Sequence, residues 1–305
     1  MQPARVLISV AVAIPLMLAA CAGGSDSQTA TARRLDELRS DPRVVRLEGI
    51  LERADTLVIP NLYLRYSFSS QGVTLTDELV VGFACSGVRC VAEDDGTEVT
   101  IADLVDPSSA IASTDFELGS RGGFDTATLR GVFEVEESIP EVTLTASPTI
   151  NSYGFWGEYG FAAIDIVDAT MSGLTDGTEI SGSMGFAGAY VIGDTSGSNP
   201  GGTGSATWTG IAEATSTATS ERHQGTATVT IADLSQPRVG VDIAIPGHDI
   251  RGQGWEAMAL ANSRYVSEAE GAYLEGHFLG PDHSETFGVF DTGRYVGVFG
   301  AQQAP

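Results

Sequence analysis

Near the end of the chain, Asp282, His283, Ser284 and Glu285 follow one another, with His277 just upstream. An acid, a base and a hydroxyl are the ingredients of nucleophilic hydrolysis, in which a histidine takes the proton from an attacking oxygen and a carboxylate orients it. Such groups must converge from separated positions, and consecutive residues in a turn point apart. The run follows Gly280-Pro281, which marks a turn. No Gly-x-Ser-x-Gly elbow, His-Glu-x-x-His helix or phosphate-binding loop occurs elsewhere. The expectation is a chain that is not an enzyme, with no catalytic residue, no metal site and no cofactor, whose histidines 223, 248, 277 and 283 include ordinary solvated turn residues. Glu93-Asp94-Asp95-Gly96 is acidic enough to suggest calcium, yet its spacing is not that of an EF-hand loop, and it reads as a solvated turn. Cys85 and Cys90 flank a Ser-Gly turn. Two thiols without nearby histidines cannot complete a tetrahedral metal shell, so a disulfide across a hairpin is expected.

The elements that carry these side chains come next. Gly276-His277-Phe278, Gly288-Val289-Phe290 and Gly297-Val298-Phe299 share one pattern. Residues two apart in a strand point to the same face, so each run sets a glycine beside a phenylalanine on one side of a sheet. Turn residues at 280–282 and 291–293 separate the runs. This is an antiparallel meander with an inner face that alternates small and large, as the tapering interior of a small barrel requires. An open sheet or sandwich can carry the same alternation.

The 305 residues include 37 glycines, and few segments repeat at helical spacing, which favours a mainly β protein. The formal net charge is −24, and every basic side chain is arginine. A surface this acidic repels phosphate backbones, so nucleic acid is not an expected partner; a basic protein or a cation suits it better, and solubility alone would also account for it. At the N-terminus a short basic start precedes the apolar run 6–18, which ends Leu18-Ala19-Ala20-Cys21. Thirteen residues are too few for a bilayer, which needs about 20, and fit the core of a signal peptide. The small residues before Cys21 resemble a bacterial lipobox, which implies cleavage ahead of Cys21 and a lipid on its thiol, with residues 22–28 as a flexible tether. Residue 22 is not Asp, and lipoprotein sorting rules then imply the outer membrane.

Residues 33–54 are the best helical candidate, with Pro42 expected to separate two short helices. Strands are expected at 57–59, 62–68, 79–83, 99–101 and 129–135. The aromatic run at 153–161 is expected to pack in a core rather than form an exposed platform. Further strands are expected at 182–192, 206–210, 225–234, 239–245 and 254–260, followed by the three closing ones. Counted from Gly182 these make eight, a number whose closed interior side chains can fill. Val-Thr-Ile-Ala-Asp-Leu occurs at both 99–104 and 229–234, either from a duplication or by chance recurrence.

Residues 153–301 resemble the β-barrel of transferrin-binding protein B-like surface lipoproteins. The resemblance is carried by Gly197-Ser198-Asn199-Pro200, by 204–210 and 225–229, and by the closing Gly-x-Phe strands with Gly280-Pro281-Asp282. It implies a mainly β protein with a C-terminal eight-stranded antiparallel barrel at 151–305. A β-rich handle-like domain at 35–150, with a short N-terminal helical segment, would precede it, behind a signal peptide at 1–20 and a tether at 21–34. It also implies a surface-exposed outer-membrane lipoprotein that binds a protein or a solute, with an outer-membrane translocator or receptor among its conceivable partners. A periplasm-facing structural lipoprotein is the alternative. Rigid barrels display recognition on their connections. The residues expected to meet the ligand therefore lie on the loops at 193–202 (Asp194, Ser196, Ser198, Asn199) and 261–268 (Asn262, Arg264, Tyr265).

Overall fold

The computed structural model describes residues 40–104, 115–132, 135–139, 142–175, 178–195, 197–250, 255–269 and 271–303. Cys21, the expected signal peptide and tether, and Ser196 lie outside the described residues. Helix α1 (Pro42–Arg53) begins at Pro42, with Asp41 as its N-cap accepting a 2.9 Å hydrogen bond from Arg43 N. Proline suits this position because the N–H it lacks has no partner in the first turn. Pro42 therefore opens a helix; the residues before Ser40 lie outside the described residues. Ile50, Leu47 and Leu51 seat α1 on the sheet beside Leu57 and Trp156.

Nine strands form one antiparallel sheet: β1 (Thr56–Val58), β2 (Leu62–Ser70), β3 (Val73–Val81), β7 (Asp115–Arg121), β8 (Phe124–Val132), β9 (Val135–Ile139), β10 (Val142–Trp156), β11 (Gly160–Thr175) and β12 (Thr178–Gly193). Its main order is β3-β2-β12-β11-β10-β8-β7, with β1 beside β12 and β9 beside β10. A small sheet of β4 (Phe83–Ser86), β5 (Arg89–Ala92) and β6 (Glu98–Thr100) leads into the one-turn α2 (Ile101–Leu104). Cys85 and Cys90 face each other in the β4–β5 register and form the expected disulfide, with Cα atoms 4.0 Å apart.

The closed barrel is β13 (Ala206–Ser216), β14 (Arg222–Ile231), β15 (Arg238–Ala244), β16 (Met258–Ala261), β17 (Arg264–Ala269), β18 (Ala272–Leu279), β19 (Glu285–Asp291) and β20 (Tyr295–Gln303), sealed by antiparallel pairing of β20 with β13. Eight strands is the expected number, reached with a different membership. The strand at 182–192 belongs to the open sheet, and most of the expected loop at 261–268 lies in the barrel strand 264–269. The barrel thus starts at Ala206, and a division at 150/151 falls inside β10. The aromatic run ends β10 and begins β11, with Phe155 and Trp156 fully buried.

The Gly-x-Phe runs do face inward. Phe278, Phe290 and Phe299 pack with Trp208, Leu274 and Trp255 inside the barrel. Each inward glycine lies opposite an aromatic or another glycine: Gly288 pairs with Phe299, Gly297 with Phe290, and Gly276 with Tyr265 and Gly288. A Cβ on Gly288 would come within 2.5 Å of the Phe299 ring, and one on Gly276 within 2.4 Å of Tyr265. The glycines are the floor on which neighbouring rings lie, the same cross-strand cover used to compensate for glycine in sheets. Away from the sheet the outer wall carries exposed Thr226, Thr230, Arg238 and Asp242. An apolar interior behind a polar exterior is the reverse of what a bilayer-spanning barrel needs.

The barrel's other wall packs on the sheet. Ile211, Leu279, Phe287, Val289 and Val298 of the barrel meet Phe124, Phe155, Ile164 and Val191, and Phe287 stacks on Phe155 with centroids 5.8 Å apart. Three carboxylates of the barrel border this apolar contact. Glu285 accepts from Glu158 N (2.8 Å) and Tyr159 N (3.0 Å) in the β10–β11 turn. Asp291 accepts from Asn61 Nδ2 (2.7 Å) and the Tyr63 hydroxyl (2.8 Å). Glu213 takes Arg121 at the end of β7 and Arg222, whose guanidinium lies 3.5 Å over the Tyr153 ring. All three are buried and multiply hydrogen-bonded, the condition under which a buried charge holds a structure together.

Candidate ligand-binding surface

Both connections singled out from the sequence reach the same end of the barrel. Residues 194–205 carry the chain from β12 into β13, and the β16–β17 turn and the β18–β19 turn close over the same rim. Asn262 and Ser263 have φ of +53° and +66°, the left-handed pair that a two-residue hairpin turn demands. Asn199 Oδ1 accepts from Ser263 N at 3.0 Å, and Ser263 Oγ donates to Ser198 O at 2.5 Å. His283 Nε2 lies 2.9 Å from Ser198 O and 3.1 Å from Ser198 Oγ. A carbonyl can only accept, so that contact places the imidazole proton on Nε2. His283 is held from behind as well, because its own carbonyl accepts from Trp208 Nε1 at 2.7 Å. The rim is braced by its own bonds, while Ser198, Asn199 and Asn262 stay exposed.

The other expected contact residues divide. Asp194 is tied to the body: its carboxylate pairs with Arg53 at 3.3 Å and its backbone bonds Tyr159 O and Gly280 N. Tyr265 was expected on a recognition loop, but it is fully buried inside the barrel and its hydroxyl meets Thr286 Oγ1 at 2.6 Å. The two-residue turn fixes this. β17 starts at Arg264, and alternation then sends Arg264 outward and Tyr265 inward. Arg264 lies on the outer wall, bidentate to Glu275 at 2.6 and 2.8 Å.

Glu275 is the centre of a cluster that sequence spacing did not reveal. Tyr273 donates to it at 2.6 Å, and His277 Nε2 lies 3.0 Å away. Burial pushes the Glu275 carboxyl up, but His277, Arg264 and Tyr273 outweigh it and hold the group at about 2. Tyr273 moves the other way, raised by burial and then by the Glu275 charge. His277 Nδ1 is buried without a hydrogen-bond partner. The period-2 positions 273, 275 and 277 were the available signal, since they share one face of β18.

At the opposite end, His223, His248 and Tyr295 come together from β14, the β15–β16 connection and the start of β20. The imidazole centroids are 3.9 Å apart, and His248 Nδ1 lies 2.7 Å from the Tyr295 hydroxyl. Burial, then the neighbouring His248, lowers the His223 pKa. These residues are far apart in sequence, and only barrel closure joins them. The acid, base and hydroxyl run near residue 283 is dispersed by the fold. His277 faces Glu275, His283 braces the rim, and Glu285 is buried beneath the β10–β11 turn. Among the described residues no group of three or more His, Cys, Asp or Glu is arranged to hold a metal ion.

No known family's sequence pattern matches the chain, and no curated protein matches it. Solved structures give weak neighbours. Intact Ap-TbpB, with its N and C lobes, aligns at 9% identity and a TM-score of 0.27 over 82% of this chain and 77% of that one. The vaccine antigen transferrin-binding protein B of Haemophilus parasuis Hp5 gives 9% identity and a TM-score of 0.25, over 81% and 77%. A protein of unknown function from the DUF3598 family of Nostoc punctiforme gives 8% and 0.23, over 80% and 95%. Scores this low carry no functional inference.

Proposed function

We propose that the chain is a binding protein rather than an enzyme, anchored by a lipid on Cys21 to the outer membrane and displayed at the cell surface. Its ligand, a protein or a solute, meets the barrel rim at Ser198, Asn199 and Asn262. The observation that carries this reading is the convergence of two connections, distant in sequence, on one rim whose exposed polar side chains sit on a fixed support. Preorganised hydrogen-bonding groups lose little freedom on binding. The lipobox-like N-terminus and the resemblance of the barrel motifs to surface lipoproteins support the location.

Affinity capture with the mature, unlipidated protein from host or environmental extracts, read by mass spectrometry, tests the rim. A ligand held by the native protein should be lost from the Ser198→Trp/Asn262→Trp double variant. Equal capture by both would sink the rim as the site, and recovery of envelope components alone would favour a structural lipoprotein. Protease treatment of intact cells tests display: the protein should be cleaved without breaking the outer membrane. Cys21→Ser should release it from the membrane fraction.

A further inference from the structure

The nine-stranded sheet ends on one side in β3, and among the described residues no strand pairs with its outer edge. An edge strand presents unpaired N–H and C=O groups, and natural proteins usually guard it with charged side chains, lysine above all, with proline, a bulge or a cover. β3 reads Val-Thr-Leu-Thr-Asp-Glu-Leu-Val-Val and pairs with β2 over its whole length, without a bulge. Val73 is 72% exposed and Leu75 59%. The opposite edge, β7, is guarded differently: Leu118 packs into the core under α1, and Arg121 is drawn onto Glu213 of the barrel.

The β2–β3 register shows what lies on each face of this edge. Leu64, Tyr66 and Phe68 oppose Leu79, Asp77 and Leu75. Leu64, Phe68 and Leu79 join Met171, Met184 and Phe186 in an apolar cluster on the face away from the barrel. On the same face, at the edge beyond that cluster, stand the exposed Leu75, opposite Phe68, and Val73. Asp77 sits in the middle of the stripe, between Leu75 and Leu79, and its carboxylate accepts from the Glu78 backbone N–H at 2.9 Å and from the Tyr66 hydroxyl at 3.2 Å. No basic side chain among the described residues pairs with it.

We propose that β3 is a strand-addition site for an extended segment of a partner protein in which a Lys or Arg is flanked, two residues to either side, by apolar side chains. Such a segment would complete the backbone ladder and extend the apolar cluster by one strand. It would also set a cation beside Asp77, since directly opposed charges of opposite sign stabilise a strand pair. A second copy of this chain fits less well. The antiparallel register that matches Val73 with Val81 and Leu75 with Leu79 puts Asp77 against Asp77, and like charges directly opposed are destabilising. The site is separate from the barrel rim and does not depend on it.

The test uses the mature protein and three nine-residue synthetic peptides followed by fluorescence anisotropy. The first is Val-Thr-Val-Thr-Arg-Thr-Val-Thr-Val, which sets valines on the same face as the arginine, the second carries Glu in place of Arg, and the third is the first with alternate backbone nitrogens methylated. The Arg peptide is expected to bind at least tenfold more tightly than the Glu peptide, and methylation to abolish binding. In the Asp77→Arg variant the preference should reverse, and hydrogen exchange should slow in β3 when the preferred peptide is bound. Equal binding of the Arg and Glu peptides, binding that survives methylation, or protection confined to other strands would overturn the proposal. So would sedimentation as a dimer that Asp77→Arg abolishes, which would assign the edge to a second copy.

Discussion

Replacing Asp165 by Asn should stabilise the protein above about pH 6 and change little near pH 4. Asp165 lies on β11 opposite Ser152 of β10, on the face of the sheet away from the barrel. Burial raises its carboxyl to about 6 against an ordinary value of 3.8, and the hydrogen bond from Ser152 offsets only part of this. Tyr190 beside it is raised by burial and then by the Asp165 charge. Because the folded chain holds this proton more tightly than the unfolded chain, stability falls as pH rises from about 4 to about 6, then levels. At about 1.4 kcal/mol per pKa unit the full cost approaches 3 kcal/mol, and partial solvent access brings it nearer 1–2 kcal/mol. Asn keeps the shape and the hydrogen bond to Ser152 without the charge. Urea unfolding of both proteins between pH 4 and pH 8, followed by tryptophan fluorescence with the disulfide intact, gives the difference directly. It should grow through the window and then hold. A difference that is constant with pH, or an Asn variant that is weaker at pH 7.5, would refute the assignment of the cost to a buried charge.

Three further outcomes follow from the packing. Glu285→Ala should cost about 3 kcal/mol, because it strips two backbone donors of the β10–β11 turn of a charged acceptor, and hydrogen exchange at residues 158 and 159 should accelerate out of proportion to the rest of the sheet. Gly288→Val should abolish the fold rather than weaken it, since the new Cβ meets Phe299 and Glu275 O at 2.5 Å each; soluble protein with native near-UV circular dichroism would contradict the glycine floor. His223 has a folded pKa below its ordinary 6.5, so its contribution is present above that value and is lost as pH falls below it. His223→Gln should flatten the acid limb of the thermal-stability profile below pH 6.5.

The barrel was legible in its closing strands because Gly-x-Phe records both the two-residue alternation and the need for a small partner under each ring. Its start was not. β12 ends in the same alternation of small and apolar residues as a barrel strand, and nothing local says which sheet it joins; its partners are β1, β2 and β11. β17 was missed because Asn262 and Ser263 lack the glycine that usually marks a two-residue hairpin turn. The same omission put Tyr265 on the surface. Conversely, the Cys85–Cys90 pair and the buried aromatic run were readable from composition and spacing alone, since both are settled by neighbours close in sequence. The rim lay between these cases: its residues were named, but their bonds to Ser263 and His283 depend on barrel closure.

That closure has a kinetic side. The seam that seals the barrel joins β13 to β20, with Trp208 paired to Gln303, so β13 and β19 each lack one neighbour and the ring stays open until the last described residues have been made. In the open sheet, Thr56 likewise waits for Gly193. Ladders of such long sequence separation fold slowly, because loop entropy is lost before contacts repay it. A ribosome-bound or truncated chain that lacks β20 would hold two raw strand edges and an uncovered phenylalanine core at once. Chaperone dependence and protease sensitivity should therefore fall abruptly on addition of the final nine residues of the seam, rather than declining steadily as the chain lengthens.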